Sequence, residues 1–169
     1  LHLGDPEQAL ALLEEIEVQI NAGTFGFHNW RWRLRLLHAR GLCFLALHQP
    51  AEALASAEDG LPLAEAKAAR KYVALNHELR GIALKELGNQ DEAISALETA
   101  VSLADLIQYQ PIRWASRQRL AEMYRQQGRV QEAQGSLSEG THIIHAIAAV
   151  LTDESLRGAF LRSQKPQRH

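Results

Sequence analysis

Three stretches of this chain, residues 40–54, 80–94 and 120–134, align without a gap at a spacing of forty residues, and that regularity limits the fold more than anything else in the sequence. Small residues recur at Gly41, Gly81 and Ala121, and again at Ala53, Ala93 and Ala133. Gly88 and Gly128 fall between the two sets, with His48 at the same place in the first copy. A partial fourth copy opens the chain at Gly4-Asp5-Pro6-Glu7-Gln8-Ala9-Leu10. A unit repeated at this length cannot bury its own apolar face and must stack on its neighbours.

Ala and Leu dominate, and no alternating strand-like run stands out, so every repeated segment reads as helix. Helices are expected over roughly 5–22, 29–47, 50–69, 71–87, 90–108, 112–127, 130–151 and 153–163. Within them, apolar residues such as Ala93, Leu97, Ala100, Val101 and Ala104 keep the three–four spacing of one buried helix face. The small residues are expected where the two helices of one hairpin approach closely. Gly88 and Gly128 suit the left-handed residue that ends a helix, and His48 weakens that signal in its copy. Pro6 and Pro50 fit the first helical turn, where a missing N–H costs nothing. Asp91 and Glu92 place negative charge at a helix N-terminus. Residues 21–26 form the clearest loop, and Gln110-Pro111 separates two copies. Pro62 is expected to kink its helix or end it early. Thr152 or Asp153 supplies the N-cap of the last helix, whose Leu156, Phe160 and Leu161 lie at helical spacing.

A small residue, then an aromatic three positions on (Gly41 and Phe44, Ala121 and Tyr124), then Gly, then Glu-Ala, resembles the tetratricopeptide repeat. The common unit is about 34 residues, so a forty-residue spacing implies longer helices. Such elongated copies resemble those of bacterial signal-transduction regulators of the ATPase and maltose-regulator-like types, and residues 148–161 resemble the end of those regions. The resemblance implies an all-α, right-handed α-solenoid of antiparallel helix hairpins, about 3.5 repeats with a C-terminal capping helix. One domain would span 1–163, with a partial repeat at 1–23, full repeats at 29–69, 71–109 and 111–151, the capping helix at 153–163, and a disordered tail at 164–169.

The same resemblance implies a protein- or peptide-binding scaffold within a larger bacterial signalling or transcriptional regulator. A small-ligand-sensing domain that relays to an attached effector is the alternative. In such arrays the first helix of each copy lines a concave groove, which here assigns Arg35, His38, Leu42 and Leu45, then Leu75, Glu78, Ile82 and Lys85, then Ala115, Gln118, Glu122 and Arg125. Some members of the family clamp a C-terminal carboxylate with Lys and Asn. Those residue types are absent from the corresponding positions His38, Leu42, Glu78 and Ile82, so that mode is rejected.

Chemistry is not expected. There is no phosphate-binding glycine loop, no Gly-x-Ser-x-Gly, no cofactor motif and no catalytic constellation. His142 and His145 lie three apart, a metal-ligand spacing, but no set of ligands completes them, and they read as ordinary helix histidines. Cys43, the single cysteine, reads as a buried structural thiol in a reducing compartment. Trp30-Arg31-Trp32-Arg33-Leu34-Arg35 interleaves bases with aromatics as an anion site would. On a helix it reads more simply as packed tryptophans beside solvated arginines. With a formal net charge of −2, no basic field supports nucleic-acid binding by these arginines. No run of apolar residues is long enough to span a membrane, and no signal peptide is visible, so the cytoplasm is the expected location. The chain starts at Leu1 inside a helical pattern, as a fragment of a longer protein would. The apolar face of the first helix (Leu10, Leu13, Ile16, Ile20) lacks a partner and is expected to pack on missing upstream chain or on a second copy as a homodimer.

Overall fold

The computed structural model describes residues 4–163, which places the expected tail at 164–169 outside the described residues. Eight α-helices follow one another: α1 (Pro6–Asn21), α2 (Asn29–Ala46), α3 (Pro50–Ala66), α4 (Arg70–Glu86), α5 (Gln90–Leu106), α6 (Gln110–Gln126), α7 (Val130–Ala149) and α8 (Glu154–Ser163). Among the described residues there is no strand, and no helix is long and apolar enough to cross a membrane. From α3 to α7 a new helix starts every twenty residues, at 50, 70, 90, 110 and 130. The forty-residue period is therefore two equal halves.

One turn, made five times, sets that pace. His48, Ala68, Gly88, Gln108 and Gly128 all take positive φ, between 48° and 86°. Around each, the left-handed residue donates its N–H to the carbonyl three back, and the next residue donates to the carbonyl five back: His48 to Leu45 and Gln49 to Phe44, Gly88 to Lys85 and Asn89 to Leu84. This pair of bonds satisfies carbonyls that a helix end would otherwise orphan. His48, which weakens the signal in sequence, makes the same turn as the glycines.

Local chemistry explains most boundaries. Pro6 and Pro50 open α1 and α3, and the Asp5 carboxylate accepts from the N–H of Gln8 at 3.0 Å. Asp153, rather than Thr152, caps α8 by accepting from the N–H of Leu156. Two expectations change. Pro111 lies inside the first turn of α6, so the break between copies falls just before Gln110. Pro62 does not end its helix early: α3 continues to Ala66, forty residues before the end of α5. Its ring is exposed, as is Glu58, whose carbonyl it deprives of a partner, so water can take the lost bond.

The helices pack as two rows. Each helix lies against its chain neighbours, and in addition α2 touches α4 and α4 touches α6. The alternate helices α1, α3, α5 and α7 make no such contacts with one another. A two-row stack whose one row is closed and whose other row is splayed curves toward the closed row, so α2, α4 and α6 form the inner layer. Alanines fill the spaces between rows, with Ala53, Ala57, Ala83 and Ala93 fully buried in the clusters of Leu79 and Leu97, and Ala100 in that of Ile112.

Close approach accounts for the small residues, though not always within one hairpin. A Cβ on Gly81 would lie 2.7 Å from Leu97 and 3.1 Å from the carbonyl of Ala93, across the α4–α5 hairpin. A Cβ on Gly41 would instead meet Leu79 of α4, in the next copy. Among the described elements α1 touches only α2, with Ile20 buried and Leu12, Ile16 and Val18 exposed. Among the described elements α8 touches only α7, and it leaves Leu156 exposed, with Phe160 and Leu161 half-buried.

Candidate functional site

The inner row carries all the residues assigned to the groove, because successive choices three or four apart on α2, α4 and α6 keep to one helix face. Arg35, Glu122 and Arg125 are exposed. Leu42, Leu45, Leu75, Ile82, Lys85, Ala115 and Gln118 are half-buried, and Leu42, Leu45 and Leu75 share their apolar surface with the core clusters beneath.

Polar groups of neighbouring inner helices meet across this face. Lys85 Nζ lies 2.9 Å from Glu122 Oε2, which bridges α4 and α6. Glu78 accepts from Ser116 Oγ at 3.0 Å and from Arg119 Nη1 at 3.2 Å. Burial pushes the Glu78 carboxyl above its ordinary value, against the opposing pull of Arg119 and the Ser116 hydroxyl. Glu78 is thus largely occupied as a strut between helices. His38 also lies deep: burial first, and then the nearby charge of Lys71, bring its pKa down to about 4, so the ring stays neutral at ordinary pH.

An opening of about 590 Å³ on this face lies over α6 and reaches α7. Ala115, Gln118, Glu122 and Arg125 line it together with Trp114, Arg119 and exposed Leu137. Counting positions on the first helix of each copy could not find those last three, since Trp114 and Arg119 flank the counted face and Leu137 comes from the second helix. Elsewhere on the same pair of helices Asp105 holds α5 to α6. It lies 2.7 Å from Arg113 Nε and 2.6 Å from Arg117 Nη2, while Arg117 Nε also reaches Glu139 on α7 at 2.8 Å. Burial raises the Asp105 carboxyl, but the hydrogen bonds from Arg117 and Arg113 outweigh it and hold the group below its ordinary value.

The basic–aromatic run of α2 divides. Leu34 is buried, and Arg33 turns to Glu17 and Asn21 of α1. Trp32 stacks on Phe25 with centroids 5.0 Å apart and carries Arg35 over its ring. Trp30, Arg31 and Arg35 face a second cleft shared with the start of α4. His142 and His145 are exposed on α7, and among the described residues no three His, Cys, Asp or Glu side chains converge to hold a metal ion. Cys43 is buried, which raises its thiol pKa and keeps it protonated.

The tetratricopeptide repeat family matches this chain over residues 77–105, from the middle of α4 through the Gly88 turn to the end of α5. Among solved structures, the chain is similar to the nearly identical TPR-like repeats assigned to a kinesin light chain of Podosopora anserina. The match has a TM-score of 0.64 and 23% identity over 93% of this chain and 74% of that one. A singly substituted form of the same protein matches with a TM-score of 0.58 and 21% identity, over 96% and 72% of the two chains. The structure of MamA matches with a TM-score of 0.55 and 18% identity, over 96% of this chain and 90% of that one. No curated protein matches by sequence. At these identities the solved structures establish the fold, a TPR-like helical solenoid, with the repeat pattern itself matched at residues 77–105.

Proposed function

We propose that this chain is a protein- or peptide-binding scaffold that holds its partner along the inner row of α2, α4 and α6, and that it serves as the repeat segment of a larger bacterial signalling or transcriptional regulator. The observation that carries the reading is the inner face itself, a continuous strip across three helices with half-buried Leu42, Leu75 and Ile82 among exposed Arg35, Glu122 and Arg125. Such a mixture offers anchors for alternate side chains of a helix or an extended segment, with charges to set its direction. A sensor of small ligands would call for an enclosed apolar pocket with a few converging polar groups. The openings on this surface are open on one side and lined by charged side chains, which favours a peptide.

Affinity capture tests this directly. The immobilised chain is compared with an E122K/R125E variant of the groove and an S95K variant of the exposed outer face of α5, with bound proteins identified by mass spectrometry. Partners retained by the native chain and S95K but lost from E122K/R125E are the expected result. Identical sets on all three would remove the groove assignment.

A further inference from the structure

We propose that the cleft between the first turns of α2 and α4 takes an acidic peptide segment, two or more Asp or Glu side chains in succession, at one end of the inner row. This deepens the groove reading and rests on it, because Arg35 belongs to both the cleft and the row.

The cleft, about 240 Å³, brings Arg31 and Arg35 of α2 against Arg70 and Lys71 of α4, with Trp30 and Tyr72 as its aromatic walls. No acidic side chain lines it. Among the described residues none of the four cationic side chains has an ion pair or a hydrogen bond, whereas Arg33, Arg40, Arg80, Arg113, Arg117, Arg119 and Arg129 all have carboxylate partners. Three of the four are steadied by aromatic faces instead: Arg31 sits 5.1 Å from the ring of Trp30, Arg35 5.2 Å from Trp32, and Lys71 4.7 Å from Tyr109. An aromatic face orders a cation without neutralising it.

The backbone adds charge of the same sign. Arg70 and Lys71 occupy the first turn of α4, and neither α2 nor α4 has an acidic residue in its first turn or a side chain capping its N-terminus. Cations at that end oppose the helix dipole, a placement that costs free energy unless an anion joins it. The carbonyls of Leu63, Ala64 and Glu65 in the last turn of α3 accept N–H groups of the turn at Ala68. Four cationic side chains without acidic partners therefore converge on one opening, beside two helix N-termini that no acidic side chain caps.

The size and surroundings of the patch select the anion. A nucleic-acid strand needs a long cationic track, but these charges are gathered at one end. An outer cleft between α1 and α3 carries Glu14, Glu17, Glu52 and Asp59, which would repel an extended polyanion. A short acidic run can seat its carboxylates among the guanidinium groups and continue along Leu42, Leu75 and Ile82 as an apolar peptide.

The test uses fluorescein-labelled hexaglutamate, titrated with the full chain at low ionic strength and read by fluorescence anisotropy. Saturable binding is expected, weakened at least about tenfold in R70E/K71E and less in R70Q/K71Q, and unchanged in R162E on α8. The two reversed residues are exposed and the change agrees with the helix dipole, so circular dichroism and melting of both variants should match the native chain. Equal affinity in the native chain, R70E/K71E and R70Q/K71Q would overturn the proposal. So would tighter binding of a six-nucleotide oligothymidylate than of hexaglutamate. The groove variant E122K/R125E leaves all four cleft cations in place, so failure here and failure of the groove reading are told apart.

Discussion

Ala68 holds a left-handed backbone at φ 48° with its side chain exposed, so its Cβ crowds the following carbonyl and gains no contact in return. Gly88 and Gly128 make the same turn without that penalty. A68G should therefore raise stability by about 1 kcal/mol, a rise in Tm of roughly 2–4 °C for a chain of this size, read by thermal melting. An unchanged or lower Tm would mean that the unfolded chain's added freedom cancels the gain. Gln108 suits the test less well, because its side chain bonds the Asp105 carbonyl and accepts from Arg113. This residue scale was the least legible in the sequence. Two of the five turns announce themselves by glycine; His48, Ala68 and Gln108 do not, because stacked helices on both sides impose a geometry that local preference alone would not choose. The cation cleft was hidden for a related reason. Arg35 and Arg70 are far apart along the chain, and a net charge of −2 conceals acids gathered at α1 and α3 while bases gather at α2 and α4.

Between elements, the crossings of successive copies are matched by size. Gly60 on α3 leaves room for Asn76 on α4, whose amide nitrogen would lie 2.6 Å from a Cβ at position 60. Forty residues on, the corresponding positions hold Ala100 and Ser116, both buried; forty back, they hold Ile20 and Leu36, packed in one cluster. G60A alone should cost about 1–3 kcal/mol by overpacking. N76S alone leaves a void. The double variant reproduces the Ala100/Ser116 pairing and should recover most of the loss, a coupling of about 0.5–3 kcal/mol in a double-mutant cycle by chemical denaturation. Strictly additive effects would show that the two positions do not read each other. Helix order and boundaries were legible to within a few residues, because the small residues recur with the period that stacking demands. Which helix each small residue faces was not. Gly81 meets its hairpin partner and Gly41 meets the next copy, a distinction that depends on the tilt of one copy on another.

Across the whole molecule, contacts join only near neighbours, and α4 is surrounded most fully, by α2, α3, α5 and α6. Stability in such a stack is a sum of local terms, so it should grade from the middle outward. Hydrogen exchange followed by mass spectrometry should show the slowest amides in α4 and α5 and the fastest in α1 and α8; uniform protection from end to end would contradict the local-contact account. The five equal turns carry a further consequence, one of parity. Since each turn-to-turn length is twenty residues and the rows alternate, lengthening the chain by forty at any turn returns every later helix to its own row. Lengthening by twenty would send every later helix into the opposite row, so the inner faces on the two sides of the insertion would no longer form one strip. A molecule of this design can grow only in even steps, and its spacing behaves as a reading frame for shape.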